Sequence, residues 1–176
     1  LDRDINTVLK GITLCTLVGA IASGKKEAQS AKNAHQGATA EEDIFTLVES
    51  ELVPLGWSFR YNEKLAANWD IDIVALSPKG KTYIIDVKSH KGTKLVTSDG
   101  VYRKYGDTIY QFEKDFLKGI LAQAVNLKQR DNLGWVTPLL CFTEGWIKYE
   151  SGERNPRGVE VVSARQLVAS LLRLEG

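Results

Sequence analysis

Residues 69–94 read WDIDIVALSPKGKTYIIDVKSHKGTK, and their pattern predicts two strands joined by a tight turn. The run 71–76 is almost wholly apolar, as in a strand that is buried on both faces. Residues 82–88 are rich in β-branched and aromatic side chains, which favour a second strand. Between the two lies Ser77–Pro78–Lys79–Gly80, where proline suits the first corner of a turn and glycine suits its end. The stretch therefore predicts a β-hairpin.

Three ionisable residues lie at the open end of this hairpin. Asp72 is near the start of the first strand, and Asp86 and Lys88 are near the end of the second. Because an antiparallel turn brings these ends together, and residues two apart in a strand share a face, the three side chains can converge. Two adjacent carboxylates repel each other unless one is protonated or a cation lies between them. A hard divalent ion such as Mg²⁺ fits such a place, and a lysine beside it could orient a water molecule.

The alternative interpretation is that these are ordinary strand-end residues in contact with solvent. Against it, Asp86 interrupts a hydrophobic strand, where an unpaired charge would be costly to bury. The spacing alone therefore favours a site over a solvated surface.

The order of these residues resembles a known nuclease signature. Asp72, thirteen intervening residues and then Asp86–Val87–Lys88 are similar to the D…(D/E)xK signature of the restriction-endonuclease-like superfamily, and the surrounding sequence resembles its nuclease-related domain, NERD. The resemblance covers roughly residues 37–142. The matching residues, in order, are Glu41 or Glu42, Asp72, Asp86–Val87–Lys88, Gly92 and Gln123. The chain departs from the family pattern at Asp86, where glutamate is more usual, and at Ala40–Glu41–Glu42, where a glycine–glutamate pair is usual.

The resemblance implies a nuclease that depends on Mg²⁺ or Mn²⁺ and hydrolyses phosphodiester bonds in DNA, as an endonuclease or exonuclease. It implies that Asp72, Asp86 and the main-chain carbonyl of Val87 bind the metal. Lys88 would position the attacking water.

Two further residues enter through the resemblance, Glu41 and Gln123. Thr39-x-x-Glu42 reads as a helix capping box, which gives Glu42 a structural role and leaves Glu41 as the preferred acid. Gln123 is either a residue of the cleft or an amide at the edge of an apolar helix stripe that bonds to the main chain. Both interpretations of Gln123 are open at this point.

The charge distribution restricts where a polyanion could bind. The net charge of +1 argues against a surface that binds nucleic acid throughout. Residues 79–104, however, contain many basic residues and only two acids, Asp86 and Asp99. Solvated lysines are the default explanation, but their position beside the proposed metal site suits a phosphate backbone. The candidate nucleic-acid contacts are Lys91, Lys94, Arg103 and Lys104.

The first 36 residues predict a helical segment ahead of a nuclease-like domain over residues 37–176. The uninterrupted apolar part, Ile12–Ala22, is shorter than the roughly twenty residues that a bilayer requires, so no membrane span is expected. We expect packing against the domain or homo-oligomerisation through this segment. Cys15 and Cys141 match neither a disulfide framework nor a zinc motif, which is typical of a cytoplasmic protein.

The remaining pattern predicts an α/β fold in which helices flank a central mixed sheet, and the order of its elements is similar to the α-β-β-β-α-β core of the restriction-endonuclease-like superfamily. The predicted elements are a helix break at Gly37, a helix from Thr39 to before Pro54, a strand at 57–61, a loop at 64–68, a hairpin at 93–104 that could fold over substrate, a helix at 112–129, a strand at 135–142 with a bulge or edge at Pro138, a loop at 145–158, a strand at 158–162, and a closing helix capped by Ser163.

A second function is compatible with the same scaffold. The core fold does not need the N-terminal apolar helix, so the chain could be a non-catalytic module for nucleic-acid binding or assembly. Its DNA binding would persist without divalent metal and weaken steeply with salt. An enzyme acting on small phosphates has less support, because no closed pocket signature is present.

Overall fold

The predicted hairpin lies in the middle of a mixed β-sheet. A computed structural model describes residues 35–65, 69–152 and 154–176, so the predictions for the N-terminal helix and Cys15 lie outside the described residues. The two hairpin strands pair antiparallel, with Ile73 opposite Ile85. In the turn, the N–H of Gly80 donates to the carbonyl of Ser77 at 2.9 Å, and Gly80 adopts the positive φ of +77° that glycine tolerates.

In the described part of the chain the helices are α1 (residues 35–52), α2 (Phe116–Arg130) and α3 (Ala164–Glu175). The strands are β1 (Ser58–Leu65), β2 (Trp69–Leu76), β3 (Thr82–Lys88), β4 (Thr93–Val96), β5 (Val101–Tyr105), β6 (Thr108–Gln111), β7 (Val136–Phe142), β8 (Trp146–Tyr149) and β9 (Glu160–Ser163). None of these helices is long and apolar enough to cross a membrane.

The first sheet has five strands in the order β1-β2-β3-β7-β9. The first three strands are antiparallel neighbours, whereas β7 and β9 run parallel to β3. The carboxyl ends of β3, β7 and β9 therefore meet at one edge. This arrangement confirms the predicted α/β fold with a central mixed sheet, and it is consistent with a restriction-endonuclease-like fold.

Helices cover both faces of this sheet, as the sequence predicts. On one face, α1 and α3 contribute buried side chains such as Val48 and Leu167, and on the other α2 contributes Leu117 and Ile120. Burying each such side chain stabilises the fold by about 1.5–3 kcal/mol relative to leaving it exposed. The sheet is thus packed between two apolar layers.

A second sheet, in the order β6-β5-β4-β8, was not predicted. Strand β6 is exposed along its whole length and β8 is only partly buried, so neither has the apolar alternation of a typical strand. The hairpin of β4 and β5 has its predicted Asp99–Gly100 turn. It is the middle of this sheet, because β4 also pairs in parallel with β8. The predicted hairpin is therefore part of a larger sheet, and its folding over substrate stays a prediction.

Three element predictions also need correction. Helix α1 is continuous through Gly37, so the predicted break and the capping box at Thr39 are wrong; one glycine costs a helix only about 1 kcal/mol. Helix α2 begins at Phe116, after Asp115, whose side chain accepts from the N–H of Lys118. Pro138 was predicted to mark a bulge or an edge strand. It lies instead in an interior strand with a regular register, where a single proline removes one ladder bond. The predicted cap of α3 by Ser163 is confirmed.

Candidate active site

The two aspartates lie where strands β2 and β3 begin to separate. The last residue pair of the β2–β3 ladder directly adjoins Asp72 and Asp86. Beyond it, Oδ2 of Asp72 accepts a hydrogen bond from the N–H of Val87 at 2.6 Å. Oδ2 of Asp86 forms an ion pair with Nζ of Lys88 at 2.7 Å. The structure therefore brings Asp72, Asp86 and Lys88 together at the open end of the hairpin.

Burial makes these carboxylates hard to ionise. Burial, with a further contribution from the charge on Asp86, raises the pKa of Asp72 to about 7, although Lys88 and the N–H of Val87 act in the opposite direction. Burial also raises the pKa of Asp86, and Lys88 again opposes the shift. One ammonium thus does not fully compensate the two acids.

Glu41 on helix α1 belongs to the same electrostatic group. Burial raises the pKa of Glu41, Lys88 lowers it and the charge on Asp86 raises it. The charge on Glu41 in turn contributes to the raised pKa of Asp72. Glu42, the next residue, is exposed to solvent. Of the two glutamates considered from the sequence, Glu41 is therefore the one whose charge acts on the aspartates.

The oxygen atoms that could bind a divalent cation here are the carboxylates of Asp72 and Asp86 and the carbonyl of Val87. That carbonyl faces Nζ of Lys88 at 3.3 Å. Within the described residues, no group of three or more His, Cys, Asp or Glu side chains has the arrangement of a metal site. The oxygens are hard donors of the kind that Mg²⁺ prefers.

A family comparison bears directly on this group. Residues 36–143, more than half of the 176 residues, match the model of the nuclease-related domain. The chain belongs to the NERD family. NERD is part of the restriction-endonuclease-like nuclease superfamily, so the resemblance seen in the sequence is confirmed. Neither the comparison with curated proteins nor the comparison with solved structures found a match. Membership supports a nuclease-related function.

In this NERD domain, Gln123 lies behind the site and not among its charged groups. Nε2 of Gln123 donates to the main-chain carbonyl of Asp70 at 2.7 Å, two residues before Asp72. Its Oε1 is buried and has no hydrogen-bond partner in the described ranges. The contact is the main-chain bond that one of the two sequence interpretations proposed. Gln123 holds the start of β2 in place.

Lys94 is not available to a nucleic acid. It is fully buried, and its ammonium donates to the main-chain carbonyls of His90, Gly92 and Glu144. Burial lowers the pKa of Lys94 to about 8. The predicted phosphate contact is wrong, because this ammonium is enclosed by the protein and fixes one loop to another.

The other three basic candidates have different surroundings. Lys91 is exposed and Lys104 is partly exposed, so both can reach a polyanion. Arg103 lies 4.7 Å from the ring centre of Phe112, and its Nη2 lies 3.4 Å from Nδ1 of His90. Phosphate contacts by Lys91, Arg103 and Lys104 remain predictions.

An aromatic cluster beside Lys88 was not found from the sequence. Nζ of Lys88 lies 5.9 Å from the ring centre of Phe116, at the start of α2. The rings of His90 and Phe112 pack against Phe116, at centroid distances of 5.4 and 4.8 Å. The four-residue spacing of Phe112 and Phe116 could have indicated this cluster. The same spacing is equally typical of two residues on one face of a helix. This cluster restricts where the Lys88 ammonium can lie.

Proposed function

We propose that this NERD domain is a nuclease, dependent on Mg²⁺ or Mn²⁺, that hydrolyses phosphodiester bonds in DNA. The observation that carries the proposal is the ion pair of Asp86 with Lys88 beside Asp72 at the open end of the hairpin, a group whose charges also act on Glu41 of α1. The order of these residues along the chain and the NERD match support the same reading.

The donor set fits a divalent cation. With Asp72, Asp86 and Glu41 ionised, Lys88 leaves an excess of negative charge in a partly buried place, and that excess contributes to the raised pKa of Asp72. Asp72, Asp86 and the Val87 carbonyl would hold the ion, with Glu41 assisting through a water molecule. When bound, the ion would polarise the phosphodiester and lower the pKa of a coordinated water.

Lys88 is the residue that would act on the attacking water. Its ion pair with Asp86 and its position over the Phe116 ring limit the directions in which its ammonium can point. From there it would donate to the water or to a phosphate oxygen and offset the negative charge that grows during attack. Asp72 would at the same time hold the strand end, through its bond to the N–H of Val87.

Activity measurements on near-isosteric variants test the proposal. The purified protein is incubated with labelled DNA and Mg²⁺ or Mn²⁺. We expect the cleavage rate to fall by roughly 10²–10³-fold or more in Asp72→Asn, Asp86→Asn and Lys88→Met. Asp107→Asn, a change at an exposed acid in a turn, is the matched control and should cleave like the wild type.

Cleavage that survives all three substitutions would reject this site. A wild type that binds DNA without cutting it, with an affinity that falls steeply with salt, would instead indicate a non-catalytic nucleic-acid-binding module. The two outcomes are separated by measuring binding and cleavage on the same DNA.

A further inference from the structure

A cavity of about 430 Å³ lies at the carboxyl ends of β7 and β9, the two strands that follow β3 across the sheet. Ligands of open α/β sheets commonly bind outside the carboxyl ends of the strands. Its lining includes Thr143, Trp146, Ile147, Arg165 and Gln166. The charged groups of the candidate active site do not line it, so it is a separate feature of the same edge.

The wall of this cavity is fixed to the segment that follows the catalytic lysine. The N–H of Thr143 donates to the carbonyl of Lys88 at 3.1 Å, and the N–H of Trp146 donates to the carbonyl of Gly92 at 3.2 Å. Neighbouring strands lie about 4.8 Å apart, so Thr143 is one strand from Lys88. The cavity wall therefore adjoins the strand that bears Lys88.

The largest side chain of the cavity is an aromatic ring in contact with solvent. Trp146 is 72 % exposed, although indole rings usually have a large share of their surface buried. An exposed aromatic ring can stack on a nucleobase, and such stacking does not depend on base identity. Trp146 lies beyond the residues matched by the NERD model, as does the whole of α3.

A basic group complements the ring. Arg165 lies in the first turn of α3 and is exposed, and no carboxylate is among the described residues that line the cavity. A phosphate would pair with this guanidinium without competition from a lining acid.

We propose that this cavity binds one unstacked nucleotide of a DNA strand, next to the bond that is cut; the proposal rests on the proposed nuclease function. Trp146 stacks on the base and Arg165 pairs with its phosphate. A base inside an intact duplex is already stacked on both faces, so it cannot use the ring. The domain therefore prefers single-stranded DNA, or frayed ends, to a closed duplex.

A matched control exists on the same chain. Trp135 is also 72 % exposed, but it does not line this cavity, and Nζ of Lys128 lies 6.0 Å from its ring centre. Binding of a labelled single-stranded oligonucleotide and of its duplex is measured by fluorescence anisotropy in EDTA, where cleavage plays no part. We expect Trp146→Ala to weaken single-strand binding by about fivefold or more, while Trp135→Ala leaves it unchanged.

Further arms test the chemistry of the site. Trp146→Phe should retain most of the single-strand affinity, since it keeps an aromatic face. Arg165→Gln should reduce the slope of log affinity against log salt by about 0.7, the value for one phosphate contact on a single strand. Circular dichroism and thermal denaturation of each variant check that the fold is intact.

Single-strand binding by Trp146→Ala equal to that of the wild type would overturn the proposal, as would an equal loss on the duplex. A loss on single-stranded RNA but not on DNA would overturn the assignment to DNA. The wild type could fail to cleave DNA with Mg²⁺ or Mn²⁺ while Trp146→Ala still loses binding to single-stranded DNA alone. In that case the nuclease proposal fails and the nucleotide site stands. If the wild type cleaves DNA and Trp146→Ala binds single-stranded DNA normally, the nuclease proposal stands and the nucleotide site fails.

Discussion

Asp72, Asp86 and Glu41 together face a single ammonium, that of Lys88, in a place that is partly shielded from solvent. The raised pKa values of these acids express the free energy that their ionisation costs in the folded chain. A protein without a use for such a group would be more stable with fewer acids, since buried charges cost more than their pairing returns. The domain without a cation therefore carries an electrostatic destabilisation at this point.

The pH dependence of stability should reveal that destabilisation. The pKa of Asp72 is about 7 in the folded protein and near 3.8 in the unfolded chain, so the unfolded state releases this proton more readily as pH rises from about 4 to 7. Asp72 consequently destabilises the fold at pH 8 and not at pH 4. We expect Asp72→Asn to raise the urea midpoint in EDTA at pH 8 and to change it little at pH 4. Asp107→Asn is the control, and an equal effect of Asp72→Asn at both pH values would contradict the assignment.

Lys94 should contribute more to the free energy of unfolding than Lys91, which is close to it in sequence. Lys94→Met would remove the ammonium donor from the carbonyls of His90, Gly92 and Glu144, of which the Gly92 carbonyl keeps the N–H of Trp146. Because hydrogen bonds from a charged donor to buried carbonyls are costly to lose, we expect the free energy of unfolding to fall by about 1–3 kcal/mol in urea denaturation. Lys91→Met, at an exposed position, should change it by no more than about 0.5 kcal/mol. Similar losses for the two variants would argue against the carbonyl cage.

The sequence could not distinguish these two lysines. Both follow the DxK triplet, both lie in one basic cluster, and both are separated by few residues from Gly92. What buries Lys94 is the turn 143–145, which lies about fifty positions away in the chain. Likewise, Glu41 was preferred to Glu42 because of a capping box that does not exist, and its position is set by the packing of α1.

At the scale of elements, the hairpin of β2 and β3 and the capped helix α3 followed directly from local pattern. Long apolar runs, a turn with proline and glycine, and a serine ahead of an apolar helix stripe are local signals, and local contacts were enough to specify these elements. Strands β6 and β8 had no such signal, because they are short and exposed. The pairing partner of β8 is β4, a strand that is distant in the chain.

The contact between the β7–β8 turn and the segment after Lys88 is narrow enough to require glycine. Gly145 has φ +73°, and a Cβ there would lie 2.0 Å from the carbonyl oxygen of Gly92. Gly106, with φ +56°, also adopts the left-handed region but has nothing within 4 Å of such a Cβ.

Alanine variants of Gly106 and Gly145 distinguish the cost of backbone strain alone from the added cost of a close contact. We expect Gly106→Ala to lower the free energy of unfolding by about 1 kcal/mol, the cost of a left-handed alanine. Gly145→Ala should cost clearly more, because the Gly92 carbonyl must also move. Urea denaturation of both variants measures the difference, and equal losses would show that the contact has no energetic weight.

At the scale of the whole molecule, the candidate site draws on elements that are distant in the chain. Asp72 and Asp86 come from the hairpin, Glu41 comes from α1, and Gln123 on α2 holds the first residues of β2. The ordered motif predicted the members of this group, since order along the chain is a property of sequence. It left open whether Gln123 lines the cleft or bonds to the main chain, because the orientation of a helix about its axis depends on the packing of the complete core.

A bound cation should therefore stabilise the whole folded domain and not only the site. A ligand that binds only the folded state adds RT ln(1 + [L]/Kd), which is about 2.7 kcal/mol at a hundredfold excess over Kd. We expect Mn²⁺ or Mg²⁺, compared with EDTA at matched ionic strength, to raise the melting temperature of the wild type and of Asp107→Asn. Asp72→Asn and Asp86→Asn should lose this increase, since each removes one carboxylate of the proposed donor set. If both variants gain as much as the wild type, the cation binds elsewhere and the hairpin does not hold it.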